Sequence, residues 1–186
     1  MDGNTPDLAV KDGNRLEVAR KVFGDRVTVS QPFPGKPPLW VEPTDAKLRT
    51  DIAQAAAWMK EHRGAIEDTL LSFGGILWRG FPAKGPDDFE LLMSGWKPFS
   101  KGYTAGTSER KPVKGNVLES TRTPPEYRIL LHQEMAYLET TPRLIGFYCH
   151  EPSPVGGHTI IGEMRGVFET LPAHLQNNLL AKGVRY

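Results

Sequence analysis

The sequence predicts a single domain of the α+β class, mainly β, in which short strands alternate with a few helices. The chain has 186 residues, which fits one domain and is long enough to bury a core. Its 16 prolines and 19 glycines favour many short strands over a helical bundle, because both residues form turns. Apolar residues at helical spacing between positions 44 and 96 add helices to this pattern.

The composition of the chain indicates which partners it can bind and in which compartment it is found. The 23 basic and 22 acidic residues nearly cancel and form no charged block, which argues against nucleic acid and against an anionic membrane surface. The lone cysteine, Cys149, excludes an internal disulfide framework and fits a reducing compartment. Residues 1–10 lack the apolar run of a secretory signal, and no stretch approaches the roughly 20 apolar residues of a membrane helix. We therefore predict a cytoplasmic protein, with an organelle as the alternative.

The first half of the chain divides at about residue 43. Residues 1–43 are interpreted as a polar lead-in, with a short helix at 16–23, followed by a proline-rich segment in which 39–41 form a brief edge strand. Thr44 or Asp45 caps a helix that continues at helical spacing to Met59. A second helix ends at Gly74, a strand covers 76–81, and a third helix covers 87–96.

The second half alternates loops with apolar runs. Residues 97–115 predict a long loop, a kind of segment that is often functional, and 116–120 a short strand. Residues 144–149 are the clearest strand of the sequence, because they are apolar and aromatic and lie between prolines. A further strand is predicted at 159–161, and amphipathic helices at 164–171 and 173–182.

The most informative pair of residues is His132 and Glu134. Side chains at i and i+2 of an extended segment lie on one face, so both can point at the same ion. They would supply two-thirds of the 2-His-1-carboxylate triad that holds iron in non-heme Fe(II) oxygenases. Taken alone, such a pair is more often a solvated loop feature. The later histidines, His150, His158 and His174, are better interpreted as exposed or hydrogen-bonded than as a third ligand.

Motifs over residues 64–186 resemble those of a known family in order and spacing. They are residues 74–81 (GGILWRGF), 132–137 (HQEMAY), 147–159 (FYCHEPSPVGGHT) and 165–186. Together they resemble the taurine dioxygenase (TauD/TfdA) family of Fe(II)- and 2-oxoglutarate-dependent dioxygenases. The family more commonly has Asp at the position of Glu134. A Glu at this position resembles the clavaminate synthase-like branch.

The resemblance implies a double-stranded β-helix, or jelly roll, with flanking helices. Residues 44–186 would be the N-terminal part of that dioxygenase domain, incomplete at its C-terminus, because the family's second histidine and its 2-oxoglutarate-binding arginine come from strands beyond residue 186. His132 and Glu134 match the first two Fe(II) ligands, and Thr159 matches the threonine that hydrogen-bonds 2-oxoglutarate. Loop residues at the border of the substrate pocket would be Tyr103, Thr104, Ser108 and Arg110.

The function implied is oxidation, such as hydroxylation, of a small polar molecule, for which an amino acid or a related carboxylate is the expected class. An exposed barrel edge would also favour pairing into an oligomer. One alternative is a truncated, non-catalytic relic or binding protein of the same fold. Another is a jelly roll that binds DNA or RNA, against which the even charge balance argues.

Overall fold

The computed structural model describes residues 12–99, 110–120, 123–124 and 126–185. The helices are α1 (Asp12–Phe23), α2 (Ala46–Thr50), α3 (Ile52–Glu61), α4 (Arg63–Phe73), α5 (Pro86–Leu92), α6 (Val167–Thr170) and α7 (Ala173–Lys182). A 3₁₀ turn, Met93–Gly95, continues α5. The strands are β1 (Val27–Ser30), β2 (Leu39–Pro43), β3 (Ile76–Trp78), β4 (Pro112–Lys114) and β5 (Val117–Leu118). None of the helices within these ranges is long and apolar enough to cross a membrane.

Strand β2 is the centre of a three-stranded sheet with the order β1-β2-β3. It pairs antiparallel with β1, where Val29 faces Val41, and parallel with β3, where Val41 faces Trp78. The prediction of an edge strand at 39–41 was therefore wrong in its position. The prolines of this segment lie before the strand and at its last residue, so the backbone groups between them remain available to both neighbours.

Local capping explains the helices of the first half. The Asp45 carboxylate accepts hydrogen bonds from the backbone N–H groups of Lys47 and Leu48 and starts α2, as predicted. Asp51 caps α3 in the same way, so the single predicted helix is in fact two. Gly74 ends α4 in the left-handed conformation, at φ 75°, which confirms the predicted stop.

One hydrophobic core joins these helices to the sheet. Alternate residues of β1 and β2 point into it, and α1, α3 and α4 cover that face. At its centre the indole of Trp58 lies 6.0 Å from the ring of Phe23, 6.3 Å from Trp78 and 6.2 Å from Phe81. His62 stacks on the same indole with 4.4 Å between ring centroids, so aromatic contacts connect α1, α3 and β3.

The second half has less regular structure than its sequence predicts. Helix α7 matches the predicted helix at 173–182, but the predicted helix at 164–171 is reduced to the four residues of α6. The predicted strands at 144–149 and 159–161 form no strand ladder with any described residue, and side chains such as Phe147 and Ile160 are exposed. A strand exists only when a neighbour pairs with its backbone groups, and apolar sequence alone does not supply that neighbour. The described residues form two small sheets, one of three strands and one in which β4 pairs with β5. The jelly roll stays a prediction.

Arg165 forms an ion pair with Glu163 and also contacts helix α4 of the first half. Arg165 bonds the Glu163 carboxylate through Nε and Nη2, and its Nη1 donates to the backbone carbonyl of Leu71 in the last turn of α4. Arg15 of α1 donates to the next carbonyl, that of Ser72, at 3.1 Å. Two guanidinium groups therefore meet the negative end of α4, where cations are stabilised by the helix dipole.

This ion pair predicts a dependence of stability on pH. The hydrogen bond from Arg165 lowers the pKa of Glu163 from 4.5 to about 2. A carboxyl group whose pKa is lower in the folded chain stabilises the fold fully above its unfolded pKa, and that contribution is lost as pH falls from about 4.5 toward 2. Because the Glu163 side chain is 38% exposed, we expect about 1 kcal/mol rather than the full value of the shift.

Urea unfolding of the wild type and of Glu163→Gln between pH 3 and 6 measures this contribution. The variant should be less stable than the wild type at pH 6, and the difference should shrink as pH falls. Glu151→Gln, at an exposed carboxylate in the same half of the chain, is the control and should show no such trend. If the difference in free energy of unfolding between the two proteins stayed constant across this pH range, the ion pair would not lower the pKa of Glu163.

Candidate metal centre

His132 and Glu134 lie where an irregular segment changes into a turn. Residues 128–133 have no regular secondary structure, and the turn begins at Glu134. Its second residue, Met135, has a φ of 55°, a left-handed conformation that is uncommon for a residue with a side chain. The Met135 side chain is also buried, with 5% of its surface exposed, so the turn is anchored directly beside Glu134.

The imidazole of His132 has a defined orientation. Its Nδ1 lies 2.7 Å from the backbone carbonyl oxygen of Leu130. A carbonyl oxygen only accepts hydrogen bonds, so this contact assigns a proton to Nδ1 and leaves Nε2 as the nitrogen that can offer a lone pair to a metal. This Nε2 lies 3.5 Å from Oε2 of Glu134. The structure thus brings an imidazole nitrogen and a carboxylate oxygen close together, and with a neutral imidazole such a pair suits a shared cation.

The other oxygen of the carboxylate has a separate partner. Nη2 of Arg110 donates to Oε1 of Glu134 at 3.0 Å. The side chains of Arg110 and Glu134 are only 16% and 19% exposed, whereas that of His132 is 56% exposed. The carboxylate is therefore held from the protein side, and the imidazole is open to solvent.

Thr159 lies in an irregular segment, one residue of which contacts the residue before His132. Gly162, three residues further on, packs against the side chain of Leu131, where a Cβ at the glycine would be 3.0 Å from Leu131 Cδ1. The threonine itself is exposed and makes no hydrogen bond with His132 or Glu134. Its role as a 2-oxoglutarate ligand stays a prediction.

The donor set can be tested for its fit to iron. A neutral imidazole nitrogen and a carboxylate oxygen are the ligand types that non-heme Fe(II) prefers. No group of three or more His, Cys, Asp or Glu side chains that could hold a metal occurs within the described ranges. His150, His158 and His174 are exposed. His132 and Glu134 therefore fit two positions of a coordination sphere.

Sequence reasoning identified this pair but missed the role of Arg110, which the resemblance placed at the substrate pocket. The other three loop residues named with it, Tyr103, Thr104 and Ser108, lie outside the described residues. In the sequence, Arg110 is one of several cations in a long loop that precedes Glu134. Nothing in the sequence distinguishes it from the others as the partner of that carboxylate.

The match to a family model extends well beyond these residues. The model of the taurine catabolism dioxygenase TauD, TfdA family matches residues 33–186. The chain belongs to this family. It is also similar to a clavaminate synthase-like protein of Arabidopsis thaliana, with 30% identity over 144 residues, which cover 76% of this chain and 43% of that protein. The chain thus spans less than half the length of this relative, and the family assignment from sequence is confirmed.

Proposed function

We propose that this chain supplies part of the metal centre of an Fe(II)- and 2-oxoglutarate-dependent dioxygenase that oxidises a small polar molecule. An amino acid or a related carboxylate is the proposed class of substrate. The observation that carries the proposal is the 3.5 Å approach of His132 Nε2 to Glu134 Oε2, with Nδ1 of the same ring held by a backbone carbonyl. Membership of a dioxygenase family supports it independently of that geometry.

Each residue has a defined task in this proposal. His132 and Glu134 bind the iron, and the hydrogen bond from Nδ1 to Leu130 fixes the imidazole tautomer, as the second partners of metal-bound histidines generally do. The Thr159 hydroxyl is proposed to donate a hydrogen bond to a carboxylate of 2-oxoglutarate. When bound, iron and 2-oxoglutarate together supply the oxidising chemistry, and the protein binds and orients the reactants. The jelly roll of the family is the fold proposed around this site.

Anaerobic titration with Fe(II) and then with 2-oxoglutarate tests the proposal. A weak visible charge-transfer band should appear when the oxoacid chelates iron on the wild-type chain. His132→Ala removes one of the iron ligands, so we expect the apparent affinity for iron to fall on the order of 100-fold or more, since loss of an outer partner alone costs about 10–100-fold.

His174→Ala is the matched control, because His174 is an exposed histidine at the start of α7. It should titrate as the wild type does. If the wild type gave no band, or if His132→Ala gave the same band, the chain would be better described as a non-catalytic relic or binding protein of the family.

A further inference from the structure

We propose that Arg110 is a positioning residue that restricts Glu134 to binding metal through a single oxygen, Oε2. The inference rests on the proposed function, because it concerns the same metal centre. In this inference Arg110 acts on the iron ligand Glu134. The sequence resemblance instead implies a position for Arg110 at the border of the substrate pocket.

The division of the carboxylate between two partners is the first observation. Oε1 accepts from Arg110 Nη2 at 3.0 Å, while Oε2 lies 3.5 Å from His132 Nε2. A carboxylate can bind a metal through one oxygen or through both. Because a charge-assisted hydrogen bond already engages Oε1, the metal meets only the oxygen that the imidazole also faces.

The burial of the pair is the second observation. Arg110 and Glu134 are 16% and 19% exposed, whereas the side chains of the ion pair between Lys114 and Asp87 are 58% and 75% exposed. A shielded pair is weakened less by water and salt than an exposed one. The planar guanidinium also donates in fixed directions, so it sets the orientation of the carboxylate as well as neutralising its charge.

Two effects of Arg110 on metal affinity have opposite signs, and this makes the inference testable. As a positive charge near the site, Arg110 repels a metal cation, so its removal would tighten binding. As a positioning residue it holds Glu134 in the binding orientation, so its removal would weaken binding. Outer partners of metal ligands typically contribute about 10–100-fold in affinity, and we expect positioning to dominate.

The experiment is a Co(II) titration of the whole chain, followed by the visible absorption of the bound ion. Arg110→Met removes both charge and donors at similar length, and we expect Co(II) affinity to fall about 10–100-fold. Arg110→Lys keeps one charged donor and should fall between the wild type and the Met variant. The spectrum of the Met variant should also change, because both carboxylate oxygens become available to the ion. Arg128→Met, at an exposed arginine four residues before His132, should match the wild type.

Unchanged or tighter binding by Arg110→Met, with an unchanged spectrum, would overturn the inference. If that variant did not fold, as judged by circular dichroism, the Lys variant would decide by the same criterion, and wild-type affinity and spectrum would overturn the inference. His132→Ala separates this result from the proposed function. If Co(II) binding requires His132 but is insensitive to Arg110, only the positioning role fails. If Co(II) binding does not require His132, the proposed metal centre fails and the positioning role with it.

Discussion

Replacement of Trp58 by alanine should lower the free energy of unfolding by about 3–5 kcal/mol, the usual cost of removing a large aromatic side chain from a core. Trp58 is 2% exposed and lies on α3, in the hydrophobic core that the helices share with the sheet. A loss of this size is a large part of the 5–15 kcal/mol that stabilises an ordinary domain.

The position of Trp58 among other rings explains why its removal should be so costly. Its indole contacts Phe23 of α1, Trp78 of β3 and the stacked ring of His62, and His62 also bonds the Trp58 backbone carbonyl through Nδ1 at 2.9 Å. Alanine would leave a cavity between three elements at once. Each aromatic pair lost adds about 0.5–1.5 kcal/mol to the cost of the buried area.

Urea unfolding followed by far-ultraviolet circular dichroism measures this prediction. Trp58→Phe retains most of the apolar volume and should lose clearly less stability than Trp58→Ala. Leu71→Ala removes an exposed apolar side chain of the neighbouring helix α4 and should change stability by no more than about 0.5 kcal/mol. A loss below about 1 kcal/mol for Trp58→Ala would show that the aromatic cluster does not support the core.

The helices of the first half were predictable because their signals are local. A capping carboxylate at Asp45, apolar residues at helical spacing and a glycine at position 74 each act within a few residues of where they stand. The second N-cap, Asp51, was missed because it interrupts a continuous apolar pattern. Two short helices and one long helix bury nearly the same face, so periodicity does not separate them.

Strands depend on partners that the sequence does not name. The central place of β2 follows from its pairing with both β1 and β3, and β3 is more than 30 positions away in the chain. The apolar run at 144–149 has the composition of a strand but has no ladder partner among the described residues. Composition indicates how well a segment would pack on a sheet, whereas a strand also needs a neighbouring strand to pair with.

The candidate metal centre shows the same contrast between local and distant information. The spacing of His132 and Glu134 is local, and it sufficed to propose that the two side chains share a target. Arg110 is 24 positions away from Glu134, and no periodicity relates the two. Contacts of this kind appear only when the chain is folded.

Met135 connects the packing of the chain to the site, and Met135→Ala should affect both. Its side chain is buried beside Glu134, so truncation should lower the free energy of unfolding by about 2–5 kcal/mol. It should also weaken Co(II) binding, because the turn that presents the carboxylate loses its apolar anchor. Unfolding in urea gives the first quantity, and Co(II) titration of the folded variant gives the second.

Two matched variants distinguish this anchoring role from general damage. Met135→Leu keeps the volume of the side chain and should cost less than about 1.5 kcal/mol while retaining Co(II) affinity. Gln133→Ala lies between the two proposed ligands but is exposed, so it should change stability by no more than about 0.5 kcal/mol. If Met135→Ala lowered stability but left Co(II) affinity unchanged, the buried turn would not orient Glu134 for the metal, and the hydrogen bond from Arg110 would be the contact that orients the carboxylate.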